Sequence, residues 1–125
     1  MIFDMLGKSL YDHMKQTGFR PFHPKEVMHF SRQLLEAVDF IHGCKLTHTD
    51  LKPENILLVH PTPEGEAAAP LRRTDIQVID FGSATFDDEH HTTVVSTRHY
   101  RAPEVILEVG WDRNCDIWSL SLIHI

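Results

Sequence analysis

The chain has 125 residues, of which 42% are hydrophobic and 24% are charged, and its formal net charge is -6. This balance excludes an intrinsically disordered chain and a broad basic surface for nucleic acid or anionic membrane, and it favours basic partners. No run approaches the length of a membrane span, and the start lacks signal-peptide character. The two cysteines, Cys44 and Cys115, fit neither a metal site nor a disulfide framework, so we expect a reducing, intracellular setting.

The first third of the chain predicts two helices. Residues 1–3 are apolar and are predicted to end a buried strand, with a connector after them. A helix is predicted from Ser9 to Gln16, with Gly18 ending it. A longer amphipathic helix is predicted from Pro24 until Gly43, because its apolar residues recur at steps of three and four. These core positions are Val27, Phe30, Leu34, Val38 and Ile41.

Two short strands are predicted in the middle of the chain. Residues 46–48 are extended, residues 50–55 form a loop, and strands at 56–59 and 76–79 are predicted to pair as a hairpin. Between these strands, residues 60–75 are predicted to be a solvated insertion, because their prolines and glycine block regular structure. The blocking residues are Pro61, Pro63, Gly65 and Pro70.

The last third predicts a functional loop and two helices. Residues 81–101 show no sustained periodicity, which is uncommon for a connection of this length unless it has a function. A short helix is predicted over 102–108. A last helix, capped by Asp112 or Asn114, is predicted to contain Asp116, Trp118 and Leu122.

Three motifs occur in a fixed order, namely HTDLKPEN at 48–55, DFG at 80–82 and APE at 102–104. Each tripeptide alone is weak evidence for a function, because short strings of common residues arise by chance. The ordered set, with a strand before each loop, matches the catalytic loop, magnesium loop and substrate-loop anchor of protein kinases.

The chemistry of phosphoryl transfer explains these residue types, since it depends on positioning and on neutralising negative charge. Asp50 would orient or accept the proton of the substrate hydroxyl. Lys52, two positions further along an extended loop, projects to the same side and would reach the transferring phosphate. Asn55 and Asp80 offer the oxygen ligands that Mg²⁺ prefers. Gly82 is predicted to let the chain turn sharply beside the metal.

Less specific interpretations compete with these roles. A lone aspartate in a loop is a turn or cap residue in roughly ten cases to one, although four matching residues together reverse those odds. His48, His90 and His91 lack a third metal ligand at useful spacing, so His48 is interpreted as a packing and hydrogen-bonding residue. The acidic run 87–89 is interpreted as solvated surface that could also attract a basic substrate.

Two longer strings narrow the resemblance to one family. THTDLKPEN at 47–55 and DFGSATFDDEHH at 80–91 resemble the LAMMER, or CDC-like, protein kinases, in which Thr replaces the usual Arg of the catalytic loop. STRHYRAPE at 96–104 agrees with that family and with the wider group of cyclin-dependent and mitogen-activated kinases. The resemblance implies an α+β fold, namely the helical C-terminal lobe of a kinase with a small β-hairpin.

The resemblance also implies roles for matched positions. Phe3 would be the gatekeeper of the adenine pocket, residues 4–6 (Asp4 to Leu6) the hinge, and Leu57 the floor of the adenine site. Thr97 would bridge Asp50 and Lys52, and the remaining matched residues would shape the substrate loop (Arg98 and Arg101) or hold the catalytic-loop backbone (Asp116). The implied cofactors are ATP and Mg²⁺.

Thr49 supports an inference of its own. In kinases with Arg at this position, the guanidinium can grip a phosphate on the activation loop with two hydrogen bonds. Thr49 has neither the charge nor the reach. We therefore predict that activity does not depend on a phosphate clamp from the catalytic loop.

Several family features are absent from these 125 residues: the Gly-rich phosphate loop, the strand lysine, its helix glutamate and the LAMMER motif itself. We expect residues 1–125 to be part of a kinase domain, from the hinge to the start of the long central helix, truncated or mis-spliced at both ends. We expect this chain by itself to be marginally stable and inactive, because half of the nucleotide pocket is missing.

The parent function is predicted to be phosphate transfer from ATP to serine and threonine hydroxyls of proteins, with possible tyrosine autophosphorylation. The resemblance implies Arg/Ser-rich splicing factors as substrates and a nuclear and cytoplasmic location, without direct nucleic-acid or membrane binding. The oligomeric state stays open. Two alternatives are a non-catalytic pseudokinase or scaffold fragment, and a small-molecule phosphotransferase, which would have no reason to carry the APE motif.

Overall fold

The computed structural model describes residues 5–61 and 71–123. Predictions that rest on other residues lie outside these ranges, among them the strand at 1–3, Phe3 as gatekeeper and Asp4 in the hinge. The described helices are α1 Leu10–Gln16, α2 Pro24–Gly43, α3 Pro103–Ile106 and α4 Asn114–Ser121. The described strands are β1 Leu46–Thr47, β2 Ile56–Leu58, β3 Ile76–Val78 and β4 Thr85–Phe86, and 3₁₀ turns cover Pro53–Asn55 and Arg98–Tyr100.

Helix α2 is the longest described element, and it forms for the predicted reasons. Pro24 is its first residue, and the carboxylate of Glu26 accepts the backbone N–H of His23 at 2.7 Å, which closes a capping box. The apolar side chains that it buries recur at the predicted spacing and are Phe30, Leu34, Val38 and Ile41, whereas Val27 is half-buried. One apolar stripe of this helix therefore faces the core.

Helix α1 begins and ends where the sequence indicates. Ser9 caps its start by accepting the backbone N–H of Asp12 at 3.0 Å. Gly18 follows its end with a φ of 66°, a left-handed conformation that glycine adopts without steric cost. None of the helices in the described ranges is long and apolar enough to cross a bilayer.

The predicted hairpin is confirmed, and a third extended segment lies beside it. Strand β2 pairs antiparallel with β3, with Leu57 opposite Gln77. On the other edge of β2, Gly7 donates to the Leu58 carbonyl at 2.7 Å, and Leu58 donates to the Lys8 carbonyl at 2.9 Å. A Cβ on Gly7 would stand 2.6 Å from the His60 carbonyl oxygen, so only glycine fits this close approach.

The prediction that residues 81–101 lack regular structure is wrong in part. Strand β4 pairs antiparallel with β1, with Leu46 opposite Phe86 and Thr47 opposite Thr85. A 3₁₀ turn covers Arg98–Tyr100. Pairs of two-residue strands are too short to show an alternating pattern, so the sequence did not indicate them. As a result, the segment is tied to the catalytic-loop side of the molecule soon after the DFG motif.

The helices near the end of the chain are shorter than predicted. Helix α3 stops at Ile106 rather than near Glu108, which has a φ of 53° that interrupts the helix. Helix α4 begins at Asn114, and the Asp112 carboxylate accepts the backbone N–H of Asn114 at 2.8 Å. Neither predicted capping residue is the N-cap, which is Arg113, and Leu122 follows the last helical residue, Ser121, so both predictions are wrong.

Two apolar clusters form the core of the described ranges. The larger joins α1, α2 and the hairpin, and contains Leu10, Phe30, Leu34, Ile56, Leu58 and Ile123. The smaller joins α3, α4 and the turn between them, and contains Ala102, Val105, Trp111 and Cys115. Both cysteines are free, and burial raises the pKa of Cys115 to about 12, so its thiol stays neutral and packs as an apolar group.

Candidate active site

The start of the catalytic loop, residues 48–55, is held by hydrogen bonds to one buried carboxylate on α4. Asp116 accepts the backbone N–H of His48 and that of Thr49, each at 2.8 Å. A third contact joins the same carboxylate to His42 Nε2 at 2.9 Å. Thr49 has a φ of 70°, a conformation that costs free energy for a β-branched residue. The contacts to Asp116 hold the loop in this shape, which is the role that the family resemblance implied for Asp116.

His48 links the catalytic loop to the DFG motif. Its side chain is fully buried, and its Nδ1 accepts the backbone N–H of Asp50 at 3.2 Å. Nε2 therefore carries the proton and donates to the Ile79 carbonyl at 3.0 Å. The His48 ring also meets the Phe81 ring edge to face, with centroids 4.9 Å apart. The predicted packing and hydrogen-bonding role of His48 is confirmed.

Asp50, Lys52 and Thr97 form a closed triangle of hydrogen bonds. Lys52 Nζ donates to Asp50 Oδ2 at 2.8 Å and to Thr97 Oγ1 at 2.9 Å. Thr97 Oγ1 donates to Asp50 Oδ1 at 2.6 Å, and its backbone N–H reaches the same oxygen at 3.1 Å. Thr97 thus bridges the other two residues, in the arrangement that the resemblance implied.

The triangle keeps Asp50 ionised. Burial by itself would raise the pKa of this carboxyl. The hydrogen bonds from Lys52 and Thr97, together with the Lys52 charge, outweigh burial and hold the pKa below its ordinary value. A carboxylate that accepts several hydrogen bonds and stays charged at neutral pH suits the orientation of a hydroxyl group.

The Asn55 side chain is hydrogen-bonded to Asp50. The backbone of Asn55 is also bonded to Ile79, the residue before Asp80. Asn55 Nδ2 donates to the Asp50 carbonyl at 3.0 Å and to Asp50 Oδ2 at 3.3 Å, so the amide oxygen is the atom left for a cation. Ile79 donates its backbone N–H to the Asn55 carbonyl at 2.9 Å. This bond fixes the chain one residue before Asp80, whose side chain is exposed.

The chain turns sharply at the DFG motif, and Gly82 lies within the turn, because Ala84 donates its backbone N–H to the Phe81 carbonyl at 3.1 Å. Asp80, not Gly82, has the left-handed backbone, with a φ of 66°. The Asp80 carboxylate accepts the backbone N–H of Gly82 at 3.3 Å. Aspartate tolerates this conformation better than most side chains, because it can form such local hydrogen bonds. The turn predicted at Gly82 is therefore present, and the left-handed backbone belongs to Asp80 two residues before it.

The residues predicted for the adenine side are only partly described. Leu6 is half-buried, and Leu57 is half-buried in the middle of β2. Its neighbours Ile56 and Leu58 are buried in the larger core cluster. Because side chains alternate along a strand, Leu57 points to the opposite face of the hairpin.

Two serines were missed by the sequence analysis. Thr49 Oγ1 donates to the Ser83 carbonyl at 3.0 Å and to Ser83 Oγ at 3.1 Å. Ser96 Oγ donates to the Thr49 carbonyl at 2.6 Å. Arg101, which the resemblance had assigned to the substrate loop, donates from Nη2 to the Ser96 carbonyl at 2.8 Å. The only sequence signal for these contacts was Thr49 itself, a hydroxyl in place of a guanidinium.

Comparison with known proteins agrees with this geometry. A family model described as "Protein kinase domain" matches residues 1–125. The chain is 52% identical over 133 residues to the dual specificity protein kinase CLK1 of Homo sapiens, covering 100% of this chain and 27% of that protein. It is 49% identical over 130 residues to the serine/threonine-protein kinase Doa of Drosophila melanogaster, covering 98% of this chain and 16% of that protein.

A solved structure shows the same fold. The crystal structure titled "PF14_0431, kinase domain" superposes with a TM-score of 0.83 at 37% identity, covering 95% of this chain and 40% of that one. The chain spans about a quarter of the length of CLK1, for which the covered share is 27%. The resemblance predicted from the two long motifs is therefore confirmed over nearly all of the chain.

Proposed function

This chain belongs to the protein kinase domain family, and on that premise we propose that the protein carrying it transfers the γ-phosphate of ATP to serine and threonine hydroxyls of proteins. One observation carries the proposal, namely the triangle of Asp50, Lys52 and Thr97. It holds a carboxylate and an ammonium group within one network, beside an amide that can face a cation. We propose that residues 1–125 form part of a kinase domain, with residues 60–75 as an insertion.

The triangle supports separate roles for its members. Asp50 would accept a hydrogen bond from the substrate hydroxyl, aligning the oxygen for attack on the phosphate. Lys52 would give up part of its hydrogen bonding with Asp50, and its positive charge would stabilise the phosphoryl group during transfer. Thr97 would keep both side chains in register while this happens, because its hydroxyl bonds both of them.

The donor set fits the Mg²⁺ that kinases use with ATP. Asn55 offers an amide oxygen, since its nitrogen is turned towards Asp50. Asp80 offers an exposed carboxylate, and both are hard oxygen ligands. A bound Mg²⁺ would neutralise charge on the nucleotide phosphates. The adenine would lie on the face of β2 that carries Leu57, near Leu6 and, by resemblance, Phe3 and Asp4.

The charge of the chain suits basic substrates. The net charge is -6, and the acidic run 87–89 is exposed. Carboxylates near the site would steer cationic protein segments towards it. We therefore propose Arg/Ser-rich proteins as substrates, with dual specificity for tyrosine in autophosphorylation, in a nuclear and cytoplasmic protein.

The test uses the full-length protein and labelled ATP with an Arg/Ser-rich peptide. Asp50→Asn keeps the shape of the side chain but removes the charge, and we expect transfer to fall at least 100-fold. Asp39→Asn removes an exposed carboxylate on α2, outside the acidic run that is proposed to steer the substrate, and serves as the matched control, with less than a twofold change expected. Equal rates for wild type and Asp50→Asn would contradict the proposal.

A non-catalytic role is the second candidate for the 125 residues by themselves. They contain no Gly-rich loop and no strand lysine, so they can contact a nucleotide from one side only. We expect the 125-residue chain to transfer no phosphate while the longer protein does. Transfer by the short chain, abolished by Asp50→Asn, would contradict this expectation.

A further inference from the structure

The segment 86–97 carries Thr97 to the active site, and its early part is attached to the loop that precedes α4. Asp87 donates its backbone N–H to the Lys45 carbonyl at 2.9 Å, next to the β1–β4 pairing. Its carboxylate accepts from Arg113 Nη2 at 2.6 Å. These contacts fix the beginning of the segment but do not reach the residues before Thr97.

A second attachment lies further along the segment and uses aromatic rings. The His91 imidazole stacks on the Trp111 indole, with centroids 4.3 Å apart and planes at 12°. Trp111 Nε1 donates to the Thr92 carbonyl at 2.7 Å, and His91 Nδ1 lies 3.3 Å from the Trp111 carbonyl oxygen. Trp111 is itself 8% exposed and belongs to the smaller core cluster. A rigid core side chain thus holds two successive residues of the segment.

We propose that His91 and Trp111 form a latch that positions the segment leading to Thr97, without any phosphate. Thr92, held by the latch, stands five residues before Thr97. Between them, Val95 packs against the same core cluster as Trp111, and its carbonyl accepts from Arg101 Nε at 2.9 Å. The segment is thereby attached to the body of the protein from His91 up to Thr97. The proposal rests on the proposed kinase function, because only then does this segment border a protein substrate.

The contribution of His91 can be separated from the stability of the core. Trp111 would stay buried without the stack, since it packs among core residues. His91 is only half-buried and lies outside that cluster. Stacked aromatic pairs contribute modestly, so loss of the stack would loosen the segment without unfolding the protein. His91 and Trp111 are therefore positioning residues, acting through the backbone of the segment.

Where the latch acts determines which kinetic constant it changes. The Asp50, Lys52 and Thr97 triangle has its own hydrogen bonds, and Ser96 and Arg101 secure the chain just before it. Opening the latch would leave that geometry in place when substrate is bound. The looser residues 91–95 would have to be ordered again by the protein substrate, at a cost in its binding. We expect a higher KM for the protein substrate, with kcat and the KM for ATP unchanged.

The experiment compares three variants of the full-length protein. His91→Ala removes the ring, His91→Phe restores a ring that can stack, and His90→Ala alters an exposed neighbour as the matched control. For His91→Ala we expect a threefold to tenfold rise of the KM for an Arg/Ser-rich protein, approximately the range of one aromatic contact. His91→Phe keeps the stack and loses only the long ring-nitrogen contacts to the Trp111 and Phe86 carbonyls, at 3.3 and 3.4 Å, so it should stay within twofold of wild type, as should His90→Ala.

Hydrogen exchange of the backbone amides of residues 86–97, measured on the same proteins, reports the latch without any reaction. We expect faster exchange in His91→Ala and wild-type exchange in His91→Phe and His90→Ala. Unchanged exchange and unchanged KM in His91→Ala would overturn the latch. A fall of kcat with unchanged KM would overturn it as well. If wild type transfers no phosphate, the kinase proposal fails, while the exchange data still decide whether the latch exists.

Discussion

The catalytic loop and the segment 86–97 meet at Asp50, yet they are held by different kinds of contact. The loop is held from inside the protein, because Asp116, at 1% exposure, accepts its backbone N–H groups. The segment begins with an attachment at the surface, where the side chains of Asp87 and Arg113 are 37% and 39% exposed, and only its later part contacts the core, through Trp111 and Val95. The loop geometry is therefore part of the folded core, whereas the order of the segment can change while the core stays intact.

The largest expected effect on stability comes from Asp116→Asn, which weakens the contacts that hold the catalytic loop. The substitution keeps the shape, but an amide presents fewer acceptor positions to the two buried backbone donors and to His42. We expect a loss of about 3 kcal/mol in the free energy of unfolding. Chemical denaturation of the full-length protein measures it, with Asp88→Asn as the exposed control.

A smaller effect is expected for Thr49→Val, which removes the hydroxyl that bonds Ser83. Thr49 is fully buried, and its Oγ1 donates to Ser83. Valine has the same shape, so we expect a loss of about 1 kcal/mol from the missing hydrogen bond. Thr93→Val, an exposed threonine in the segment, is the control. A loss as large as that of Asp116→Asn would mean that the hydroxyl is as important to the loop as the buried carboxylate.

The ion pair of Asp87 and Arg113 shows how firmly the start of the segment 86–97 is attached. A double-mutant cycle with Asp87→Asn and Arg113→Gln isolates the pair from the bond that Arg113 also makes to the His42 carbonyl. Because both side chains are partly exposed, we expect a coupling of less than about 1 kcal/mol, reduced further by salt. A coupling that is insensitive to salt would show that the segment is held as firmly as the loop.

No loss of activity is expected for the combined variant Thr92→Ala and Thr93→Ala. Both side chains are exposed, and the Trp111 hydrogen bond goes to the Thr92 backbone, which the substitution keeps. Activity at the wild-type level would agree with the prediction from Thr49 that no phosphate clamp is needed. Ser96 should be left intact in this test, because Ser96→Ala would remove the bond to the Thr49 carbonyl. Activity lost in the double variant would contradict the prediction.

The smallest expected effect is on the pH dependence of the catalytic triangle. The pKa of Asp50 lies below its ordinary value, so its contribution to stability is complete above about pH 4, the pKa of an unfolded aspartate. That contribution is lost as the pH falls through the lower, folded pKa. The difference in thermal stability between wild type and Asp50→Asn should therefore stay constant from pH 7 to 5. A decline within that range would contradict the lowered pKa.

Much of the loop side could be predicted from the sequence. The apolar spacing of α2 and the hairpin follow from local patterns, and both are confirmed. The motif order placed Asp50 and Lys52 together, and the family resemblance added Thr97 and Asp116. These residues were recognisable because phosphoryl transfer demands particular functional groups at particular spacings.

The segment side could not be predicted for physical reasons. The β1–β4 pairing uses two residues from each strand, which is too few to show a period. The stack of His91 on Trp111 joins residues 20 positions apart whose side chains have many other possible partners. The left-handed φ of Asp80 had no signal in the sequence, because glycine is the usual residue for this conformation, whereas the tertiary structure imposes it on an aspartate.

Glu26 has a consequence for residues 60–75, the segment proposed to be an insertion. One of its oxygens accepts from the Leu71 backbone at 2.6 Å, and the other caps α2. The returning end of the insertion is therefore anchored to the helix before the chain re-enters β3. Where the chain leaves β2, Val59 donates its backbone N–H to the Asp75 carbonyl at 2.8 Å, so adding residues between 61 and 71 would cost only the slowly growing entropy of a longer loop. A fluorescent or affinity domain inserted there is expected to leave the hydrogen bonds of Asp50, Lys52 and Thr97 intact.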